Sequence, residues 1–197
     1  MKWIGLTGGL ATGKSVVSQI LREKGYPVID ADLLAREVVK SGQPALSEIV
    51  THFGSGILLP SGELDRKKLG EIVFADGFRR ELLEEIIHPK IRQLVTERKT
   101  RLKSQGIPLA FYDVPLLIEK RLEKDFDTFV LVYAPISKQL ERVMNREGYT
   151  HEEASRRLFA QLPIDEKRAK APWVIENTGS IEHLRREVNN FLFQLVK

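Results

Sequence analysis

A glycine-rich segment near the start of the chain, Gly8 to Ser15, carries residue types that can bind phosphate. It matches the pattern G-x-x-x-x-G-K-[ST], follows a short apolar run and opens an amphipathic stretch, which is the context that such a loop requires. Its backbone N–H groups and the N-terminus of the following helix would face phosphate oxygens. Lys14 would reach the β- and γ-phosphates, and the Ser15 hydroxyl would bind Mg²⁺. The segment thus predicts a nucleotide site rather than a turn that only caps a helix.

The nucleotide is expected to be ATP. The chain contains no Asn-Lys-x-Asp run, the sequence that usually selects guanine. The phosphate-binding segment alone does not separate a kinase from a switch protein or a motor, since function depends on the rest of the site.

Aspartates at the ends of two predicted strands point to an alcohol acceptor. The second strand ends in Asp30-Ala31-Asp32 and the third runs into Asp113, and parallel strands place such ends at one ligand-binding edge. An attacking hydroxyl must lose a proton, which a carboxylate can accept, so Asp32 is the candidate base or orienting group. Asp113 is the candidate acid for Mg²⁺. The alternatives are helix caps, surface acids or a turn aspartate.

The elements that must position these residues alternate between short apolar and longer amphipathic runs, which predicts a parallel five-stranded sheet covered by helices in three layers. The predicted strands are Trp3–Leu6, Pro27–Ile29, Leu109–Tyr112, Phe129–Tyr133 and Trp173–Ile175. The predicted helices are Lys14–Lys24, Asp32–Lys40, Ile136–Glu147 and Ile181–Val196.

Two helical insertions interrupt this α/β alternation. Residues 65–103 read as helical throughout, with Pro89 starting a new helix or kinking the existing one. Residues 150–171 are rich in Arg and Glu, and Thr150 to Glu153 has capping-box spacing. We expect the first insertion to be a substrate wall and the second a lid, with Gly148 as a hinge. The first insertion's apolar stripe is Leu82, Leu83, Ile86, Ile87, Ile91, Leu94 and Val95.

Composition and charge exclude several classes of protein. The absence of cysteine among the 197 residues rules out disulfides, thiolate zinc sites and cysteine nucleophiles. No signal peptide or membrane span is expected. Residues 65–103 hold 11 Lys and Arg against seven Asp and Glu, which accounts for the whole net charge of +4. This local excess predicts a polyanionic acceptor at the first insertion.

The order and spacing of several motifs resemble those of the dephospho-coenzyme A kinase family. The resemblance extends from about residue 3 to residue 180 and is carried by Gly5-Leu6-Thr7-Gly8-Gly9 and the rest of the loop, Val28-Ile29-Asp30-Ala31-Asp32, His88-Pro89, Asp113-Val114-Pro115-Leu116-Leu117-Ile118-Glu119 and Val174-Ile175-x-Asn177-x-Gly179. Two departures are Ala11, where the family often has glycine, and Ala171-Pro172-Trp173, where it commonly has Ala-Asp before the last strand.

The resemblance implies a kinase that uses ATP and Mg²⁺ to phosphorylate the ribose 3′-hydroxyl of dephospho-CoA. With the motifs, it assigns catalysis to Asp32, Lys14 and Arg142. It assigns ATP binding to Gly8, Gly9, Ala11, Thr12, Gly13, Lys14, Ser15, Val16, Arg142, Asn177 and Gly179. It assigns acceptor binding to Asp32, His88, Arg92, Asp113 and Leu117, and Mg²⁺ binding to Ser15 and Asp113.

The resulting expectation is a cytoplasmic α/β enzyme with a three-layer P-loop kinase core, a helical substrate-binding insertion and a helical lid. The core comprises residues 1–64, 104–147 and 172–197, the CoA-binding region residues 65–103, and the lid residues 148–171. No nucleic acid, membrane or obligate protein partner is expected. The alternatives are a nucleoside monophosphate kinase, whose acceptor is a phosphate, and a nucleotide-dependent switch protein.

Overall fold

The computed structural model describes residues 1 to 196, so Lys197, the last residue of the predicted core region, lies outside the described part. The five strands are β1 Lys2–Gly8, β2 Val28–Asp30, β3 Leu109–Asp113, β4 Thr128–Tyr133 and β5 Trp173–Glu176. The α-helices are α1 Lys14–Glu23, α2 Ala31–Glu37, α3 Pro44–Phe53, α4 Arg66–Ala75, α5 Gly77–Ser104, α6 Ile136–Glu147, α7 His151–Phe159, α8 Ile164–Lys170 and α9 Ile181–Val196. Short 3₁₀ turns occupy Ser55–Ile57 and Glu123–Asp125.

The strands form one sheet in the order β2-β3-β1-β4-β5. β1 pairs in parallel with β3 and β4, and β4 pairs in parallel with β5. β1 is central and buried from Trp3 to Gly8, which explains why it reads as an almost continuous apolar run. In the register Leu6 lies opposite Asp113 and Gly8 opposite Val132. The loop after β1 therefore leaves the sheet beside the ends of β3 and β4, confirming the predicted α/β fold.

The chain divides into two compact units, residues 1–29 with 106–197 and residues 30–105. The first unit contains an apolar core in which residues of α1 and α9 pack with residues of the strands. Phe111 of β3 is fully buried there, with the rings of Tyr26 and Phe191 centred 6.1 and 6.4 Å away.

The second unit is helical and has its own apolar core, which contains most of the predicted stripe of α5. The prediction that Pro89 starts a new helix is wrong, because α5 runs through Pro89. Pro89 is exposed, and apolar residues on both sides of it, such as Ile86 and Ile91, pack in the same core. This packing offsets the loss of one backbone hydrogen bond. Helix α3, which begins with Pro44 in its first turn, was not predicted.

The second insertion contains α7 and α8. The predicted capping box is present, with the Glu153 backbone N–H donating to the Thr150 hydroxyl at 3.3 Å and the Thr150 backbone N–H donating to the Glu153 carboxylate at 2.9 Å. Gly148 ends α6 with φ of 70°, the left-handed geometry that glycine supplies at helix ends. A hinge at this position stays a prediction.

The two compact units do not coincide with the three predicted regions. Residues 30–64, which were assigned to the nucleotide core, belong to the same compact unit as residues 65–103. The predicted boundaries concern function and stay a prediction. Within the part of the chain that is described, no helix is long and apolar enough to cross a membrane.

Truncation of the fully buried ring in β3 tests the packing of the first unit. Phe111→Ala is expected to lower the free energy of unfolding by about 3–5 kcal/mol, because it leaves a cavity between Tyr26 and Phe191. Phe74→Ala is the matched control, since its ring is 93% exposed, and should change stability by less than about 0.5 kcal/mol. Urea unfolding followed by circular dichroism measures both changes, and equal effects would contradict this core assignment.

Candidate active site

The candidate site is built around the loop between β1 and α1. Gly13 lies at the start of α1 with φ of 92°, and no described side chain caps the helix. In the first turn of α1 the Val16 and Val17 N–H groups donate to the Gly13 carbonyl at 3.0 and 3.1 Å, whereas the helix has no carbonyl one turn earlier for the Lys14 and Ser15 N–H groups. The N-terminus of α1 therefore offers these two donors and the positive end of the helix dipole to an anion. This is the geometry that the glycine-rich motif predicts.

A buried carboxylate fixes α1 against the sheet. Asp113, at the end of β3, is 2% exposed and forms an ion pair with Lys14. Its second oxygen accepts a hydrogen bond of 2.6 Å from the Ser18 hydroxyl. Lys14 and Ser18 are one helical turn apart, so two residues of one face of α1 share this carboxylate. Sequence reasoning missed Ser18, for which only its spacing from Lys14 was a signal.

Arg142 and Asn177 hold the loop from the other side. The Arg142 guanidinium donates to the carbonyls of Ala11 at 3.1 Å, Thr12 at 3.4 Å and Asn177 at 3.0 Å. The buried Asn177 side-chain amide donates to the Thr12 carbonyl at 2.7 Å. These bonds turn loop carbonyls toward α6 and the segment after β5. In this structure both residues therefore shape the loop, and their predicted contacts with ATP stay predictions.

The backbone conformation at Ala11 bears on the first departure from the family pattern, alanine in place of glycine. Its φ is 57°, in the left-handed region that glycine adopts without steric cost. A family glycine at this position is physically reasonable, and alanine adopts the same geometry here at a cost of about 1–2 kcal/mol.

The other predicted ATP-binding residues have different environments. Val16 is 36% exposed on α1, and the exposed Gly179 lies against His183 in the segment before α9. Thr12 is buried and its hydroxyl donates to the Gly9 carbonyl at 3.0 Å. Leu117, predicted to bind the acceptor, is fully buried beside Gly5. Its burial gives that prediction no support.

Three predicted acceptor residues lie in the second compact unit. Asp30 accepts a hydrogen bond from the Leu33 backbone N–H at 3.0 Å and caps α2, while Asp32 is exposed in the first turn of the same helix. Asp30 is therefore the capping aspartate, and Asp32 is the one whose side chain a ligand can reach. On α5, His88 and Arg92 are both exposed one turn apart, and His88 lies 3.9 Å from Glu84.

The arginines of the second insertion contact neighbouring side chains. Arg156 lies 3.8 Å from Glu152, with both side chains more than two-thirds exposed, and the Arg157 guanidinium lies 4.3 Å from the centre of the Tyr149 ring. Arg146 pairs with Glu147 at 2.7 Å. Such exposed pairs contribute little to stability. In this structure these three arginines are therefore engaged by side chains close to them in the sequence.

Two groups near this insertion have shifted pKa values. Burial and the hydrogen bond to Asp165 raise the pKa of Tyr133, so its hydroxyl stays protonated and donates to Asp165 at 2.9 Å. Hydrogen bonds from the backbone and hydroxyl of Thr150 lower the pKa of Glu153. Because this folded-state pKa is lowered, the contribution to stability is present above the unfolded value and is lost as pH falls through the folded value.

Taken together, a phosphate-binding loop after the central strand of a parallel sheet, with a buried aspartate at the end of the neighbouring strand, defines a P-loop nucleotide-binding protein. The family model for dephospho-CoA kinase matches residues 2–183. This chain belongs to the dephospho-CoA kinase family. The resemblance expected from the motifs is confirmed.

Similar proteins cover nearly the whole chain. A dephospho-CoA kinase of Anaeromyxobacter dehalogenans is 52% identical and covers 99% of this chain and 92% of its own length. A crystal structure from Thermus thermophilus has a TM-score of 0.82 and 40% identity, and covers 98% of this chain and 97% of that one. The structure of dephospho-CoA kinase from Campylobacter jejuni has a TM-score of 0.75 and 30% identity, and covers 98% and 96%.

The close approach of Asn177 to Gly13 yields a test of the loop. A Cβ on Gly13 would collide with the Asn177 side-chain nitrogen, which holds the Thr12 carbonyl. Gly13→Ala is therefore expected to raise the dissociation constant for ATP by at least about tenfold, measured by isothermal titration calorimetry.

Gly25→Ala is the matched control for this substitution. Gly25 has a similar φ of +83°, but an added Cβ would meet no described atom within 4 Å. It should lower stability slightly and leave ATP affinity unchanged. If both variants weaken ATP binding equally, backbone strain rather than the Asn177 contact is responsible.

Proposed function

We propose that this kinase transfers the γ-phosphoryl group of ATP directly to the ribose 3′-hydroxyl of dephospho-CoA, giving CoA and ADP, with Asp32 as the group that accepts or orients the hydroxyl proton. The observation that carries the proposal is a phosphate-binding loop held in shape at both sides, in a chain that matches its family over residues 2–183. The hydroxyl oxygen forms a bond to the γ-phosphorus as the bond to the ADP oxygen breaks. No covalent enzyme intermediate is involved.

The roles of the residues follow from charge and position. The amine of Lys14 stabilises the negative charge of the β- and γ-phosphates, and the N-terminal turn of α1 binds phosphate oxygens through its N–H groups. The Asp32 carboxylate accepts the hydrogen bond of the attacking hydroxyl and either orients it or takes its proton. His88 and Arg92 bind anionic groups of the acceptor, supported by their exposure on one helix and by the excess of Lys and Arg in residues 65–103.

Two oxygen groups fit Mg²⁺, the exposed Ser15 hydroxyl of the loop and the Asp113 carboxylate at the end of β3. Because the Asp113 oxygens bind Lys14 and Ser18, Asp113 would hold the ion through water. Mg²⁺ usually keeps several waters and binds through one or two protein oxygens plus substrate phosphates. When bound, Mg²⁺ would neutralise phosphate charge.

Two other functions are less well supported. A nucleoside monophosphate kinase would share the core but transfer the phosphoryl group to a phosphate, which is ionised at neutral pH and needs no base. A switch protein would hydrolyse ATP without an acceptor. Family membership over nearly the full chain favours neither alternative. In our proposal ATP and dephospho-CoA suffice in the cytoplasm, with no nucleic acid, membrane or protein partner.

An acceptor panel tests the reaction. The purified chain with ATP and Mg²⁺ is expected to release ADP rapidly with dephospho-CoA, and at least about 100-fold more slowly with AMP, CMP or no acceptor, because binding energy from the acceptor drives transfer. ADP release is measured by a coupled assay and the CoA product by mass spectrometry. Faster release with AMP or CMP would favour the monophosphate kinase, and an acceptor-independent rate would favour a switch protein.

Substitution of the candidate base tests the assignment of Asp32. Asp32→Asn is expected to lower kcat by about 10²–10⁴-fold while ATP affinity stays within about threefold, because the loss concerns proton transfer. Asp30→Asn is the control, since asparagine caps a helix as well as aspartate does, and it should keep near-normal turnover. Normal turnover of Asp32→Asn at saturating substrates would remove Asp32 from the chemistry.

A further inference from the structure

Helix α8 carries a lysine that is completely buried. Lys167 is 0% exposed, which is rare for lysine unless its amine is paired. The Nζ atom lies 2.5 Å from Glu119 Oε1 and donates to the Gly8 carbonyl at 3.3 Å. An amine, a carboxylate and the carbonyl of the first residue of the phosphate-binding loop therefore meet inside the first compact unit.

The partner carboxylate belongs to the segment after β3. Glu119 Oε1 also accepts a hydrogen bond from the Leu162 backbone N–H at 3.4 Å, just before α8 begins. One carboxylate thus binds both the entry to α8 and the lysine within it. A buried ammonium loses its hydration, and a close carboxylate with further hydrogen bonds compensates for that loss.

Neighbouring residues of α8 fix the position of this lysine. Asp165 accepts the hydrogen bond from Tyr133 of β4. Arg168 forms an ion pair of 2.6 Å with Glu176 of β5, and its guanidinium lies 4.4 Å from the centre of the Tyr133 ring. The buried Ile164 packs with Tyr133 in an apolar cluster. Helix α8 thus contacts β4 and β5 through residues before and after Lys167. These contacts fix the position from which the Lys167 amine reaches Gly8.

The contact with Gly8 bears on the loop because of peptide geometry. In a trans peptide the carbonyl and the following N–H point in opposite directions, so holding the Gly8 carbonyl sets the plane of the Gly8–Gly9 peptide. This peptide is the point at which the loop leaves β1. At the other end of the loop Asn177 and Arg142 hold the Thr12 carbonyl. Lys167 therefore holds the near end of a loop whose far end is held by other residues.

We propose that Lys167 is a positioning residue for nucleotide binding, which holds the start of the phosphate-binding loop through the Gly8 carbonyl and is itself held in place by Glu119. The inference rests on the proposed use of ATP. According to this inference the two helices of the predicted lid have different roles, since α8 supports the phosphate-binding loop and α7 does not. Helix α8 lacked a sequence signal for this role, since Lys167 is one of several charged residues in Ile164–Lys170.

The test compares ATP affinity with acceptor affinity. The double variant Lys167→Met with Glu119→Gln removes both charges, so it leaves no unpaired buried ion. It is expected to raise the dissociation constant for ATP by about tenfold, the effect of losing a hydrogen bond from a charged donor. KM for dephospho-CoA should stay within about twofold. Lys170→Met, at an exposed lysine of the same helix, is the matched control and should match the wild type.

Calorimetric titration with ATP gives the affinity without the acceptor reaction, so failure of the acceptor panel would not be confused with failure of this inference. Circular dichroism confirms that each variant is folded. Wild-type ATP affinity in the folded double variant, or equal losses for ATP and dephospho-CoA, would overturn the positioning role.

Glu119→Gln alone decides the matter if the double variant does not fold. It keeps the lysine amine while removing the carboxylate charge that holds the amine beside the Gly8 carbonyl. We expect the dissociation constant for ATP to rise several-fold with KM for dephospho-CoA within about twofold, because the amine that positions the loop has lost its support. Wild-type ATP affinity in this folded variant, or equal losses for ATP and dephospho-CoA, would overturn the inference.

Discussion

The pairing of Asp113 with Lys14 and Ser18 is the interaction on which the rest of the site depends. A carboxylate that is 2% exposed must be paired within the protein, since burying an unpaired charge is costly. Both partners come from one face of α1. The first turn of α1, the proposed phosphate site, is therefore fixed beside the end of β3. The position of β1 next to β3 in the sheet makes this connection possible.

The loop between β1 and α1 is then shaped by donors from outside it. Arg142 comes from α6, Asn177 from the segment after β5 and Lys167 from α8. Each donates to a loop carbonyl, and the carbonyls of buried residues such as Gly8 and Thr12 need such partners. Elements far apart in sequence thus supply the donors that bind the carbonyls of one loop.

Local and long-range features differ in how well the sequence predicts them. The strands, the phosphate-binding loop and the capping box at Thr150 are encoded by neighbouring residues, and each was predicted within a few residues. The partners of Asp113 and Gly8 come from residues far away in the chain, which periodicity does not reveal. Of the two effects predicted for Pro89, a new helix is excluded because α5 runs through the proline and packs on both sides of it, and a kink stays a prediction. The family motif from Asp113 to Glu119 contains the carboxylate partner, but no motif includes Lys167.

The balance of energies at Ala11 shows why this family member can do without glycine there. Its left-handed backbone costs about 1–2 kcal/mol relative to glycine. Arg142 donates to the Ala11 and Thr12 carbonyls, and hydrogen bonds from a charged donor each contribute about 1.5–3 kcal/mol. The 3.1 Å bond to the Ala11 carbonyl is therefore comparable in energy to the strain, and the 3.4 Å contact with Thr12 is too long to contribute as much. The shape of the loop depends on donors contributed by α6 and the segment after β5 as well as on the conformational freedom of one residue, so a change from glycine to alanine leaves the phosphate-binding geometry in place.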